Sequence, residues 1–110
     1  LWVLLVLVGS AGWAESKVYA HIIVHAHADA GWVRTFESIY GNTGKKILDS
    51  VVEVMYANER YRFNWADLIF LERWWQDVDE VMQKKFRVLL ERKQLQIVHP
   101  GWIMHDEATV

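Results

Sequence analysis

The reading of this chain turns on VYAHIIVHAHADAGW, residues 18–32. An apolar, largely β-branched run ends abruptly in His25-Ala26-His27-Ala28-Asp29, and Gly31 and Trp32 follow. Alternation along an extended strand sets His25, His27 and Asp29 on one face, each roughly 6–7 Å from the next. Two imidazoles and a carboxylate at the C-terminal end of a strand can form part of a divalent-metal site, and zinc takes this mixture of ligands. Histidines in a loop that bond backbone groups produce the same short pattern, so the motif has to be weighed with the rest of the chain.

Outward from it, residues 18–24 lack a polar face, which suits a strand buried on both sides of a parallel sheet. His21, within that strand, reads as a satisfied core histidine. A connection over 33–44 carries turn chemistry at Tyr40-Gly41-Asn42. Asn42 or Thr43 is placed to cap a helix whose apolar stripe is Ile47, Leu48, Val51, Val52 and Met55, ending near Ala57-Asn58. YRFNWAD, residues 61–67, reads as a second strand, closed by Asp67 as Asp29 closes the first. Residues 68–75 are apolar and aromatic with Glu72-Arg73 set among them. A second helix is expected over 77–93, with Val78, Val81, Met82, Phe86, Leu89 and Leu90 on its buried side. Asp79, Glu80, Gln83 and Lys84 make its wet side. QLQIV, residues 94–98, is a third strand. The sum is β-α-β-α-β, an α/β pattern that specifies parallel strands with right-handed crossovers. Ligands in such folds bind at the carboxyl ends of the strands. The His27/Asp29 end, Asp67 and residues 102–107 all fall at that edge. Three strands cannot close a barrel, so more of the domain is expected beyond Val110.

Composition bounds the function. The 110 residues carry a formal net charge of -2 with no basic stripe, which argues against a nucleic-acid partner. Lys45-Lys46 and Lys84-Lys85 read as solvated helix faces. There is no cysteine, so disulfides within the chain are excluded. The chain opens on Leu and stops at Thr109-Val110, and is read as a fragment. LWVLLVLV followed by Gly9, Ser10, Ala11, Gly12 and Ala14 reads as a signal peptide over 1–14 with its basic n-region missing. It is too short for a membrane span, which takes about 20 residues. A buried strand is the alternative. Glu15-Ser16-Lys17 breaks the run where a mature chain would start, after Ala11 or Ala14, which favours the signal peptide and a secreted or lysosomal product.

Four segments, in order, resemble the family 38 glycoside hydrolases, the zinc-dependent α-mannosidases of the lysosome and Golgi. HAHADAGW is similar to the family's H-[ST]-H-[ND]-D-x-G-W. ILDSVV, RFNWADLIFLERWW and GWIMHDEAT follow, the last similar to G-G-W-V-M-x-D-E-A. The resemblance covers about residues 18–110. It implies the N-terminal part of a catalytic domain over 15–110, the start of a parallel seven-stranded α/β barrel. It implies one Zn2+ bound by His27 and Asp29, and Trp32 packed on a mannose ring; a core role capping the strand end is the other reading of Trp32. His25, Asp67 and Asp106 are expected around the ligands, Asp106 and Glu107 alternatively at the start of a following helix. His99 and His105 flank the third strand end as minor metal candidates. The nucleophilic Asp and the general acid are expected after Val110, so this chain alone is expected to be inactive, and insoluble with its open sheet edge. The implied reaction is retaining hydrolysis of terminal α-mannosides on oligosaccharides or glycoproteins, with zinc chelating vicinal hydroxyls of the sugar.

Departures from the pattern have physical content. Val24 stands where the family has Pro, Ala26 replaces Ser or Thr, and Ala28 replaces Asn or Asp. Hydrogen bonds that orient metal ligands are lost, a change worth roughly 10- to 100-fold in affinity or activity. Asp67 is shorter than the family's usual Glu, and the connection over 40–47 is shorter than in lysosomal members. Three other readings stand beside this one: a metallo-β-lactamase-like hydrolase, an amidohydrolase-type metal hydrolase, and a non-catalytic truncated product. The first needs a histidine after Asp29, where Ala30 stands.

Overall fold

The structure is a computed structural model that describes residues 17–98 and 101–103. The signal peptide expected over 1–14, together with His99, His105, Asp106 and Glu107, lies outside the described residues. The elements run α1 (Phe36–Ile39), a π-helical turn (Tyr40–Gly44), α2 (Lys45–Ala57), β1 (Phe63–Trp65), α3 (Leu68–Asp77), α4 (Glu80–Glu91) and β2 (Leu95–Ile97). β1 and β2 pair in parallel, Phe63 opposite Leu95 and Trp65 opposite Ile97. On the other side of β1, His25 makes an isolated parallel bridge to Asn64. Asn64 donates to the Val24 carbonyl twice, from its backbone N–H at 2.8 Å and from Nδ2 at 3.3 Å. Helices therefore link neighbouring parallel segments, the α/β order expected from the sequence.

The first strand is reduced to that bridge. Residues 18–24 carry exposed side chains, with Val18 and Ile22 both at 90%. The expected burial fails because, among the described residues, they touch the ladder only at their last step. His21 is likewise exposed rather than a core histidine. The expected turn at Tyr40-Gly41-Asn42 is also replaced. Thr35 caps α1, its Oγ1 accepting from the Ser38 N–H at 3.3 Å, and the helix then runs through the π-helical turn into α2. Phe36, Tyr40, Gly44, Leu48 and Val52 recur every fourth residue, a spacing that drifts around a 3.6-residue helix. The wider π turn takes up that drift and keeps all five on one side.

Position 44 has to be glycine for packing. A Cβ there would lie 2.7 Å from Cδ1 of Phe70, a fully buried ring on α3. Phe36 packs on the same ring at 5.1 Å between centroids. The helix expected over 77–93 is α4, and ahead of it the apolar, aromatic stretch at 68–75, for which no helix was expected, forms α3. α3 ends at Asp77, the chain is extended at Val78, and Asp79 caps α4 by accepting from the Met82 N–H at 2.8 Å. Asp77 thus closes a helix instead of opening one. Phe86 and Leu89 are buried as expected, but Val81 (63% exposed) and Leu90 (37%) are not; Val81 lies roughly 140° around the helix from Phe86. Trp65 and Trp74 fill the centre, and their indole N–H groups are satisfied by the Asp67 carbonyl and Asp49 Oδ1, both at 2.8 Å. Gln94, also buried, donates from Nε2 to the carbonyls of Met55 and Asn58 at 3.0 Å and so ties the end of α2 to the start of β2.

Gly44→Ala in the full-length protein is expected to destabilise it by about 1–3 kcal/mol through overpacking, read by denaturant unfolding. The helix-propensity gain of at most about 1 kcal/mol offsets only part of this, because the Phe70 ring has no free side to move into.

A polar cluster closes the α1–α3 contact on its outer side. Tyr40 Oη donates to Asp77 Oδ2 at 2.7 Å, Arg73 Nη1 donates to Asp77 Oδ1, and Arg73 Nε reaches Glu37 Oε1 at 3.4 Å. The guanidinium also sits 4.9 Å from the centre of the Tyr40 ring. Burial and then the bond to Asp77 raise the Tyr40 phenol above its ordinary range, so it remains a donor. The Tyr40 hydroxyl, then Arg73, holds the Asp77 carboxyl below the usual carboxylate range. A lowered folded-state pKa contributes stability above the ordinary carboxylate value and loses it as pH falls towards the lowered one. Asp77→Asn is therefore expected to lower the melting temperature most at neutral pH, with a gap from the parent that narrows as the solution is acidified below about pH 4.

Candidate functional site

The parallel ladder brings three strand ends to one edge: the segment after His25, Ala66-Asp67 after β1, and the chain after β2. The apolar small residues Ala26, Ala28 and Ala30 pack against the core, Ala28 being buried, and leave the alternate positions outward. His27 and Asp29 occupy those positions. Their side chains converge, His27 Nε2 lying 2.9 Å from Asp29 Oδ1, with side-chain exposures of 32% and 48%. The bases of alternate side chains on an extended strand lie roughly 6–7 Å apart, a gap these two side chains close at their tips. The chain then turns at Ala30-Gly31, where Gly31 takes a positive φ of 86° that favours glycine.

The donor set suits a hard-to-borderline divalent cation. Zinc binds imidazole nitrogen at about 2.0–2.1 Å and carboxylate oxygen at about 2.0–2.2 Å, which sets neighbouring donors of a tetrahedral shell about 3.3 Å apart. The separation found needs to open only slightly. Nε2–H donates to Asp29 in the hydrogen-bonded pair; as a ligand, Nε2 would carry its lone pair outward with the ring proton on Nδ1. Among the described residues no group of three or more His, Cys, Asp or Glu could hold a metal ion, and His27 and Asp29 supply two donors.

Asp67 lies at the end of β1 and is 2% exposed. Its Oδ2 accepts from the Ala28 N–H at 3.5 Å. That amide sits between His27 and Asp29 in the chain, so the carboxylate holds the backbone from which both side chains project. His25 takes part through its backbone, as the bridge partner of Asn64, and its side chain is exposed. Trp32 follows the Gly31 turn and is 75% exposed. Asp106 lies outside the described residues.

Sequence reasoning missed Asn64, whose two hydrogen bonds to the Val24 carbonyl register the first segment, and the Tyr40–Asp77–Arg73 cluster. The signal for the cluster was present: Arg73 and Asp77 are four apart, and the charged pair at 72–73 sits inside an otherwise apolar stretch.

Residues 17–110 match the family model for the N-terminal domain of glycosyl hydrolases family 38. Curated relatives include alpha-mannosidase 2 of Arabidopsis thaliana, 38% identical over 87% of this chain and 8% of its own length. Alpha-mannosidase C of Dictyostelium discoideum is 38% identical over 86% of the chain and 9% of its length. Lysosomal alpha-mannosidase of Bos taurus is 37% identical over 81% and 10%. The chain belongs to glycosyl hydrolase family 38, and it spans about a tenth or less of the length of these relatives. Membership removes the metallo-β-lactamase-like and amidohydrolase-type readings.

Asp67→Ala is expected to cost about 1–3 kcal/mol of stability, because it strips the buried Ala28 amide of this acceptor. Asp67→Asn, which keeps a carbonyl oxygen, should recover part of that loss in the same thermal-unfolding measurement.

Proposed function

We propose that the protein is a zinc-dependent retaining α-mannosidase, with residues 17–110 forming the start of a seven-stranded α/β barrel. Family membership supports the activity, and the 2.9 Å approach of His27 Nε2 to Asp29 Oδ1 at the carboxyl edge of the sheet is the observation that carries the site. His27 and Asp29 would hold one side of the metal, and the remaining ligands come from elsewhere in the protein. Zinc bound there supplies a positive charge that orients vicinal hydroxyls of a mannose ring. Trp32 offers the apolar face of its indole to the C–H groups of the sugar. Asp67 keeps the 27–29 backbone from moving when the sugar binds. A nucleophilic Asp and an acid that protonates the leaving oxygen, neither of them among the described residues, would together give retention through a covalent glycosyl-enzyme.

The substrate class on this reading is terminal α-mannosides of oligosaccharides and glycoproteins, and the setting is the secretory pathway, lysosomal or secreted. Among the described residues no helix is long and apolar enough to cross a membrane.

In the full-length protein, His27→Ala and Asp29→Ala are each expected to lower zinc content and to slow hydrolysis of an aryl α-mannoside by more than about 100-fold. Chelator should do the same to the parent, reversibly on adding zinc. Undiminished turnover and unchanged metal content in both variants would overturn the assignment.

A further inference from the structure

Two helices frame the loop that carries Asp29 and Trp32. Its start is held at Ala28 by Asp67, the residue that immediately precedes α3. Its end enters α1 at Thr35, three residues after Trp32. The placement of α1 on α3 therefore sets the distance that residues 28–35 must span.

Two kinds of contact make that placement. One is apolar, Phe36 and Gly44 against the Phe70 ring. The other is the Glu37–Arg73–Asp77–Tyr40 cluster, and its composition is unusual for a helix end. Asp77 is the last residue of α3, where a negative charge opposes the helix dipole. Arg73, one turn earlier, and the Tyr40 hydroxyl offset that charge and in doing so join α3 to the turn that follows α1. Arg73 also spans to Glu37 on α1 itself, with its guanidinium over the Tyr40 ring. Tyr40 is 3% exposed, so its hydroxyl is delivered to Asp77 by a ring that cannot swing away.

The geometry points to Tyr40, Arg73 and Asp77 as positioning residues that fix the Asp29–Trp32 loop by locking α1 onto α3. Loss of the lock lets α1 shift on Phe70 and slackens the loop, which moves Trp32 more than His27, since His27 lies on the side held by Asp67. The consequence for sugar binding rests on the α-mannosidase reading; the consequence for the loop does not.

The test uses full-length protein with Asp77→Asn, and Tyr40→Phe as the milder variant that keeps the ring. Amide hydrogen exchange of the metal-free protein is expected to quicken about 10-fold at residues 30–35 and to stay unchanged in β1 and β2. With an aryl α-mannoside, KM is expected to rise about 2- to 10-fold with kcat nearly unchanged, the mark of weakened binding by Trp32. Asp77→Glu should restore both in part. Variants that lose melting temperature while exchange at 30–35 stays as in the parent would overturn the inference, whatever the catalytic result. Altered exchange in a protein that fails to hydrolyse mannosides would uphold the lock and strike only the functional reading.

Discussion

The helix that follows the HAHADAGW segment can lie flat on α3 only because position 44 carries no side chain. Phe70 is fully buried, and its ring edge fills the space a Cβ would take, 2.7 Å away. That one steric condition sets the rest. It lets Phe36 reach the other part of the same ring, brings Tyr40 to Asp77, and lays Leu48, Val52 and Met55 of α2 into the core. The π turn serves the same end from the backbone. It costs a less regular hydrogen-bond ladder and returns an apolar face that stays in line over a long helix.

Much of the architecture was legible in the sequence because it depends on short-range pattern. The stripe through Leu48, Val52 and Met55 located α2 and its end near Ala57, though not its start or cap, and alternation around Phe63 and Trp65 located β1. The strand ends read from that pattern place His27, Asp29 and Asp67 on one edge. What pattern could not show were features decided by a neighbour distant in sequence. A turn signature at 40–42 yields to a helix because Phe70, some thirty residues on, rewards continuation. Asp77 resembles a helix start by composition, yet it ends α3, since Tyr40 and Arg73 supply the partners that an acidic C-terminus lacks.

The first segment shows the converse. Residues 18–24 have the composition of a strand covered on both faces, and among the described residues neither face is covered. Asn64 alone gives that segment its register, through two bonds to one carbonyl. Composition states what an environment should be; it does not supply the environment. The site residues are less affected, since the three alanines at 26, 28 and 30 have their own packing against the described core.

The bond from Asp67 is made to a main-chain amide, not to a side chain. Position 28 can therefore drift in identity without surrendering this anchor, provided the newcomer is small enough for a nearly closed space and is not proline. The family's Asn or Asp and the alanine found here are on that view alternative tenants of one slot. Keeping the motif in shape thus falls in part to a residue across the sheet that lies outside the motif itself.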